Sequence, residues 1–371
     1  MSGGEAGPPA TTVLVLGGGI ALGAFGAGAC EAVEEQGGAD WLLGSSAGAL
    51  NAAIIAGNPP GQRVEALHRF WSSASADPTP WASFWLGPPP GAGAWRRAHN
   101  ETAAWQTLLL GRPGLFRHRR SPGETPSLYD LEPLRRRLPE FVDFGRLGAK
   151  GAPRLTIVAT DVESGDRVVF DTARGARIGP EHLLASCALM PLFPPIEIDG
   201  RLLCDGGLAS NAPVDLVFAE PSQGPVRCIV TELFARAGQR PRSLAAAAGR
   251  AADLAFGNQT WRMIEAGARE HALRARLAQL AAQGPGAAQG NQAPVPPVLD
   301  LLLLDYRAGL DEAGPGKPFD FSRATVEERW QAGATAMREG GDRLQARGGG
   351  TTLAPGFTLF EMDGGAARPA K

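Results

Sequence analysis

The chain has few cysteines and no excess of basic charge, and each shortage excludes a class of protein. No two of its cysteines form a C-x-x-C pair. This spacing predicts neither a zinc site nor a disulfide framework, so we expect four buried thiols and no metal. The formal net charge of the 371 residues is −2. Because the chain has neither an excess of positive charge nor a nucleic-acid-binding motif, we expect no nucleic acid partner. The cysteines are Cys30, Cys187, Cys204 and Cys228.

Long hydrophobic runs are also missing. No stretch reaches the roughly 20 apolar residues of a membrane span, and Met1–Ala6 does not begin a signal peptide. We therefore expect a cytoplasmic protein. Arg117, Arg119 and Arg120 follow Leu115–Phe116, a mixture that predicts either a peripheral membrane contact or a solvated basic loop.

Glycine is abundant, and the first glycines join a strand to a helix. Thr11–Leu16 is continuously apolar and β-branched, as in a strand buried on both faces. The loop Gly17–Gly19 and a helical stretch lead to a second apolar run, Trp41–Leu43. This βαβ unit predicts a parallel sheet. Because strands and helices keep alternating, we expect an α/β fold of three layers, with a largely parallel central sheet and helices on both faces.

The pentapeptide Gly44–Gly48 lies between that second strand and the next helical stretch. A G-x-S-x-G pattern at a strand-to-helix junction is a nucleophile elbow, in which a tight turn exposes the central serine. Gly44 and Gly48 leave room for the turn. The pattern predicts Ser46 as a nucleophile; the alternative is a plain helix N-terminus.

The loop Gly17–Gly19 does not complete a dinucleotide fingerprint. That pattern needs glycine at position 22, where this chain has Leu22, and no lysine-bearing phosphate loop is present. Beside a nucleophile, the N–H groups of Gly17, Gly18 and Gly19 would suit an oxyanion hole. Nucleotide phosphate binding and a simple tight turn remain alternatives.

A serine nucleophile needs a base, and no histidine is well placed to be one. None lies in a short loop after a buried strand near the C-terminus, and we expect His271 on the solvated face of a long helix. Asp205 directly follows a predicted hairpin arm, and Gly206 and Gly207 let its loop approach another backbone closely. We therefore interpret Asp205 as a site residue. The histidines are His68, His99, His118, His182 and His271.

Three motifs in this order resemble the patatin-like phospholipases: Gly17–Gly19 with Gly23, Gly44–Gly48, and Asp205–Gly207. Ala159–Asp161, Ala185–Ala188 leading to Phe193–Pro195, and Asn211–Pro213 agree as well. The resemblance covers roughly residues 13–231, and residues 319–337 resemble the C-terminal extension of one bacterial branch.

The resemblance implies a patatin-like sandwich and a Ser-Asp dyad. Ser46 would attack acyl esters of lipids, Asp205 would act as the base, and the glycine loop would supply oxyanion donors, with no cofactor. The chain departs from the family at Ile20–Leu22, where an arginine or lysine usually follows the triple glycine. The alternatives are a catalytically impaired lipid- or nucleotide-binding module of the same fold, and a Ser-His-Asp esterase.

Composition divides the chain into five parts. We expect a disordered tail at 1–10, a catalytic domain at 11–280 and a low-complexity linker at 281–297. A strand and helix at 298–347 should pack on the catalytic domain, followed by a flexible tail at 348–371. Within the catalytic domain, residues 76–127 are rich in proline and tryptophan and predict an irregular insertion. It would either cover an apolar site as a lid or hold a long loop on the core.

Overall fold

The computed structural model describes residues 10–78, 92–119, 126–222, 224–238, 240–283, 295–307, 313–346 and 349–363. Predictions for the tail at 1–9, for the aromatic run at 79–91 and for most of the linker, at 284–294, lie outside this part.

The strands and helices are numbered here in chain order. The strands are β1 (Thr11–Leu16), β2 (Trp41–Gly44), β3 (Arg117–His118), β4 (Tyr129–Asp130), β5 (Arg154–Asp161), β6 (Arg167–Asp171), β7 (Ile196–Ile198), β8 (Arg201–Asp205), β9 (Val226–Glu232), β10 (Leu299–Asp305), β11 (Thr351–Ala354) and β12 (Phe357–Asp363). The α-helices are α1 (Gly23–Glu35), α2 (Ala47–Ala56), α3 (Arg63–Ala74), α4 (Ala94–Leu110), α5 (Glu132–Phe141), α6 (Pro180–Cys187), α7 (Asp215–Ala219), α8 (Leu244–Gln283) and α9 (Arg323–Ala346).

Ten of these strands form one sheet, in the order β11-β12-β10-β9-β1-β2-β5-β8-β7, with β6 paired to β5. The central strands from β12 to β5 are parallel to one another. Antiparallel strands flank them, β11 at one edge and β6, β8 and β7 at the other. Strands β3 and β4 pair separately.

Helices cover both faces of the sheet, so the predicted three-layer α/β fold is confirmed. Along β1, Leu14 and Leu16 belong to one apolar core, and Val13 and Val15 belong to the other. This division is expected because successive side chains of a strand point to opposite faces. Helices α1, α2, α3, α5, α6 and α9 contribute to the first core, and α7 and α8 to the second.

The C-terminal helix α9 lies directly against α1. A Cβ atom at Gly28 of α1 would lie 1.9 Å from the carbonyl oxygen of Trp330, and one at Gly333 of α9 would lie 1.9 Å from that of Phe25. Two backbones can approach this closely only where side chains are absent. Helix α9 therefore belongs to the same core as the N-terminal βαβ unit.

The prediction of a flexible tail at 348–371 is wrong for residues 349–363. Strand β12 pairs in parallel with β10 over seven positions, and its Phe357 and Leu359 are buried. The turn Pro355–Gly356 joins β11 to β12. A Pro-Gly pair indicates a turn, but the glycine-rich composition of this segment hid that signal. Residues 364–371 lie outside the described part.

The insertion at 76–127 is also more regular than predicted, since it contains the 17-residue helix α4 and strand β3. Among the residues that the structure describes, no helix combines the length and apolarity that a membrane crossing requires.

Candidate active site

Ser46 occupies a strained turn between β2 and α2. Its φ of 54° and ψ of −125° fall where residues other than glycine are rarely found. A Cβ at Gly44 would lie 2.5 Å from the carbonyl carbon of Gly48, and one at Gly48 would lie 2.1 Å from the carbonyl oxygen of Leu16. The two glycines are therefore required by close backbone contacts on either side of the serine.

Sheet register brings Asp205 to this turn. Strand β2 pairs with the first half of β5 and ends at Gly44, opposite Ile157. Strand β8 runs the other way and ends at Asp205, opposite Ala159. Because β6 already pairs with residues 156–160, β2 and β8 must share the other edge of β5. They meet end to end there, two residues apart or about 7 Å along the strand.

The carboxyl group of Asp205 is buried, with the residue 3% exposed. Its Oδ1 accepts a hydrogen bond of 2.7 Å from the N–H of Gly207, and its backbone carbonyl accepts one of 2.8 Å from the Thr160 hydroxyl. Burial raises the pKa of Asp205 to about 7, although interactions with the Ser46 hydroxyl and the Gly207 N–H lower it. A carboxyl group with this pKa can take up and release a proton near neutral pH.

The loop after Asp205 is compressed against β5. A Cβ at Gly206 would lie 2.2 Å from the carbonyl oxygen of Val158, and one at Gly207 would lie 3.0 Å from Oδ1 of Asp205. Gly206 and Gly207 thus keep the carboxyl group close to the sheet, where water is excluded.

The three glycines of the first loop are not equivalent. The N–H of Gly17 donates to the Thr231 hydroxyl (3.2 Å), and that of Gly18 donates to the carbonyl of Asn211 (3.3 Å). The N–H of Gly19 has no acceptor among the described residues. Gly18 packs on the nucleophile, since a Cβ there would lie 2.8 Å from that of Ser46.

Four residues near the serine were not predicted as site residues. The Ser186 hydroxyl accepts a 3.0 Å hydrogen bond from the N–H of Ser46. Asn211 and Thr231 hold the glycine loop through the bonds described above. Ala47, the first residue of α2, has an N–H without an acceptor among the described residues. Three of these residues had a signal in the sequence: Ala47 lies within the elbow Gly44–Gly48, and Ser186 and Asn211 lie in segments that resemble the family. No motif indicated Thr231.

Ser46 opens into an apolar pocket, and the empty space of about 480 Å³ in and around it includes open solvent. Of its lining residues in the described part of the chain, none carries a charge. The insertion supplies Leu115 and Phe116, but its Trp95 and Trp105 are about half exposed or more. Burial raises the pKa of the Cys187 thiol, which therefore stays neutral beside Ser46. The other lining residues are Ile20, Ala47, Leu50, Phe70, Trp71, Leu131, Leu134, Phe193 and Phe321.

At the altered stretch of the glycine loop, Ile20 has a φ of 53°. A β-branched residue in this region is strained. The residue begins the short 3₁₀ helix Ile20–Leu22 and lines the pocket. The pocket is therefore lined by an apolar side chain at the position where the family usually has an arginine or lysine.

All five histidines are described, and none lines the pocket at Ser46. His118 contacts the carbonyl of Leu109, and His182 accepts from the N–H of Gly179. His68 stacks on Trp330, and His99 is buried where α4 faces Asp77 and Asp320. The prediction that His271 lies on a solvated face is wrong: it is 5% exposed and packs against Phe357. The strand β12, which covers it, was not predicted.

Comparison with known proteins places the chain in a family. The model of the family described as patatin-like phospholipase matches residues 14–218. The chain belongs to the patatin-like phospholipases. The match includes Ser46, Asp205 and the glycine loop, and membership in this family of lipid acyl hydrolases agrees with the apolar pocket.

Two solved structures are similar to this chain, but only distantly in both sequence and structure. VipD from Legionella pneumophila is 14% identical, with a TM-score of 0.35, and the alignment covers 89% of this chain and 69% of VipD. The full-length ExoU in complex with SpcU, from the type III secretion system of Pseudomonas aeruginosa, gives 18% identity, a TM-score of 0.30 and coverages of 88% and 71%. No curated protein sequence matches the chain.

Proposed function

We propose that this patatin-like phospholipase hydrolyses lipid-like carboxylic esters through an acyl-enzyme on Ser46, with Asp205 as the base. The observation that carries the proposal is the end-to-end meeting of β2 and β8, which sets a strained serine beside a carboxyl group of pKa about 7. The apolar pocket at Ser46 suits an acyl chain.

The reaction follows from the positions of these groups. The Ser46 oxygen attacks the ester carbonyl carbon while the Asp205 carboxylate takes its proton. The N–H groups of Gly19 and Ala47 are the free donors for the carbonyl oxygen, and the N-terminus of α2 favours its negative charge. When the intermediate collapses, the carbon–oxygen bond to the alcohol breaks and Asp205 returns the proton to the leaving alcohol. Water then attacks the acyl carbon while Asp205 accepts its proton. The bond from that carbon to the Ser46 oxygen breaks, and Asp205 returns the proton to the serine oxygen, which releases the fatty acid and restores the free serine.

Fluorophosphonate labelling and p-nitrophenyl ester turnover test this proposal. Ser46→Ala should abolish labelling and should lower kcat/KM by about 10³-fold or more, as should Asp205→Asn, with no further loss in the double variant. Ser45→Ala is the matched control, because the Ser45 hydroxyl is buried next to Ser46 without a partner. Equal labelling of the wild type and Ser46→Ala would overturn the nucleophile assignment.

The same variants separate the alternatives. Turnover that survives in Asp205→Asn but is lost with one histidine would establish a Ser-His-Asp esterase. An impaired binding module would bind acyl chains without any Ser46-dependent turnover. Nucleotide binding has no support, since the described residues that line the pocket include no lysine or arginine.

We also infer a peripheral contact with a lipid surface. Trp105, Leu109 and Leu110 at the end of α4 are 63%, 65% and 73% exposed. The chain runs directly from them to Leu115 and Phe116, which line the pocket. Exposed apolar residues beside a site mark an interaction surface, and here it would set the pocket mouth at the lipid.

Arg117, Arg119 and Arg120 should contribute less to binding of the lipid surface than their spacing predicts. Arg117 pairs with Asp130 at 3.0 Å, and Arg119 donates to the Ser127 hydroxyl. Arg120 lies outside the described residues. The apolar side chains should therefore dominate, so that binding depends weakly on salt.

Co-sedimentation with phosphatidylcholine vesicles tests the contact. Leu109→Ser with Leu110→Ser should lose vesicle binding while turnover of a short soluble ester is kept. Leu273→Ser with Leu277→Ser is the control, because both are similarly exposed on α8. Equal loss of binding in the two double variants would contradict this surface.

A further inference from the structure

The C-terminal part of the chain reaches the acyl pocket. Phe321 precedes α9, more than 100 residues beyond the region that matches the family, 14–218. It is 2% exposed and lines the same pocket as Ser46. One wall of the pocket is therefore supplied by a segment outside the family's common domain.

The backbone on both sides of Phe321 is fixed. Its carbonyl accepts a 3.0 Å hydrogen bond from the N–H of Ala76. Arg329 of α9, which is 1% exposed, donates to the carbonyls of Lys317 (2.9 Å) and Asp320 (3.1 Å). A buried guanidinium that binds two carbonyls holds this turn in one geometry.

The ring of Phe321 is also held from the side of the insertion. The guanidinium carbon of Arg112 lies 5.5 Å from the ring centroid, and its Nε donates to the carbonyl of Ala74. Phe321 thus stands between the insertion and α9, so it cannot swing away from the pocket without disrupting contacts on both sides.

We propose that Phe321 sets the length of acyl chain that the pocket accepts. This inference rests on the proposed hydrolase function. Each methylene that enters an apolar pocket should raise kcat/KM by about fourfold. A methylene that meets a fixed wall should instead lower it by about 10-fold or more. The activity profile against chain length should therefore rise to a break, and the ring of Phe321 determines where the break falls.

The test compares p-nitrophenyl esters from acetate to palmitate and alkyl fluorophosphonates of matching lengths. Phe321→Ala should move the break to longer chains and raise kcat/KM by about 10-fold or more for the first esters that the wild type rejects. Phe321→Leu should move it in the same direction by less. Phe319→Ala is the matched control, since Phe319 packs on the same core without lining the pocket and its break should stay in place.

Thermal unfolding of each variant separates a changed pocket from a lost fold. If Phe321→Ala does not fold, the break in Phe321→Leu decides the outcome. If turnover depends on Ser46 while the activity profile of Phe321→Leu or Phe321→Ala still breaks at the wild-type chain length, that result would overturn the role of Phe321 but not the hydrolase function. No Ser46-dependent turnover in the wild type would overturn the hydrolase function and this inference together.

Discussion

Replacing Asp205 by asparagine should remove activity and, above neutral pH, stabilise the fold. Burial raises the pKa of Asp205 from its ordinary value of 3.8 to about 7. Because the folded pKa is raised, the stabilising effect of the neutral carboxyl is complete below pH 3.8 and is lost as the pH rises through about 7. Asparagine has nearly the same shape and stays neutral throughout.

The size of the effect follows from the two pKa values. Their difference, 7 − 3.8 = 3.2, corresponds to about 4 kcal/mol at 1.36 kcal/mol for each tenfold step. The variant should therefore match the wild type at a pH below 3.8 and exceed its unfolding free energy by up to about 4 kcal/mol well above pH 7. Since whole domains are stable by only about 5–15 kcal/mol, this difference is easy to measure.

Urea unfolding followed by tryptophan fluorescence, at several pH values across this window, provides the measurement. Asp161→Asn is the control with the opposite sign. Hydrogen bonds from the Ser164 N–H and Arg201 lower the pKa of Asp161 to about 2, so this variant should be less stable than the wild type near neutral pH. If Asp205→Asn behaves like Asp161→Asn, then Asp205 is an ionised cap of the Gly207 N–H, and the reasoning about a poised base is refuted.

Three further predictions concern the rate and the packing. The kcat/KM of the wild type should rise with pH through an apparent pKa near 7, because only ionised Asp205 can accept the serine proton; a flat profile from pH 5 to 8 would contradict this. Ser186→Ala leaves the N–H of Ser46 without its acceptor, so kcat should fall by about 10-fold with little change in KM; a change in KM alone would mean a role in binding. Gly333→Ala should lower the unfolding free energy by about 1–3 kcal/mol by forcing α1 and α9 apart, whereas Gly26→Ala, whose Cβ has normal clearance, should not; calorimetry distinguishes the two.

The sequence predicted the elements near the serine because their signals are local. The apolar run of β1, the elbow at Gly44–Gly48 and the hairpin arm that precedes Asp205 each depend on a few neighbouring residues. The order of these elements was enough to predict a parallel sheet, since a helix that connects two neighbouring strands returns the chain to the same end of the sheet.

Predictions that depended on composition were less accurate. Glycine-rich surroundings hid the hairpin of β11 and β12, and proline-rich surroundings hid α4. His271 was misplaced because its helix looks solvated until β12 covers it. In each case, an element distant in sequence decides whether a side chain is buried.

The sequence by itself determined the α/β class and the candidate nucleophile, since a G-x-S-x-G motif after a buried strand can turn in few ways. Only the tertiary structure decided how the site is assembled. The structure sets Asp205 beside Ser46 on one edge of β5 and brings Phe321 into the pocket. It also directs the N–H groups of Gly17 and Gly18 into hydrogen bonds with Thr231 and Asn211. Sheet register and helix crossing decide such contacts, and both depend on packing between segments too distant in the chain for a local pattern to record.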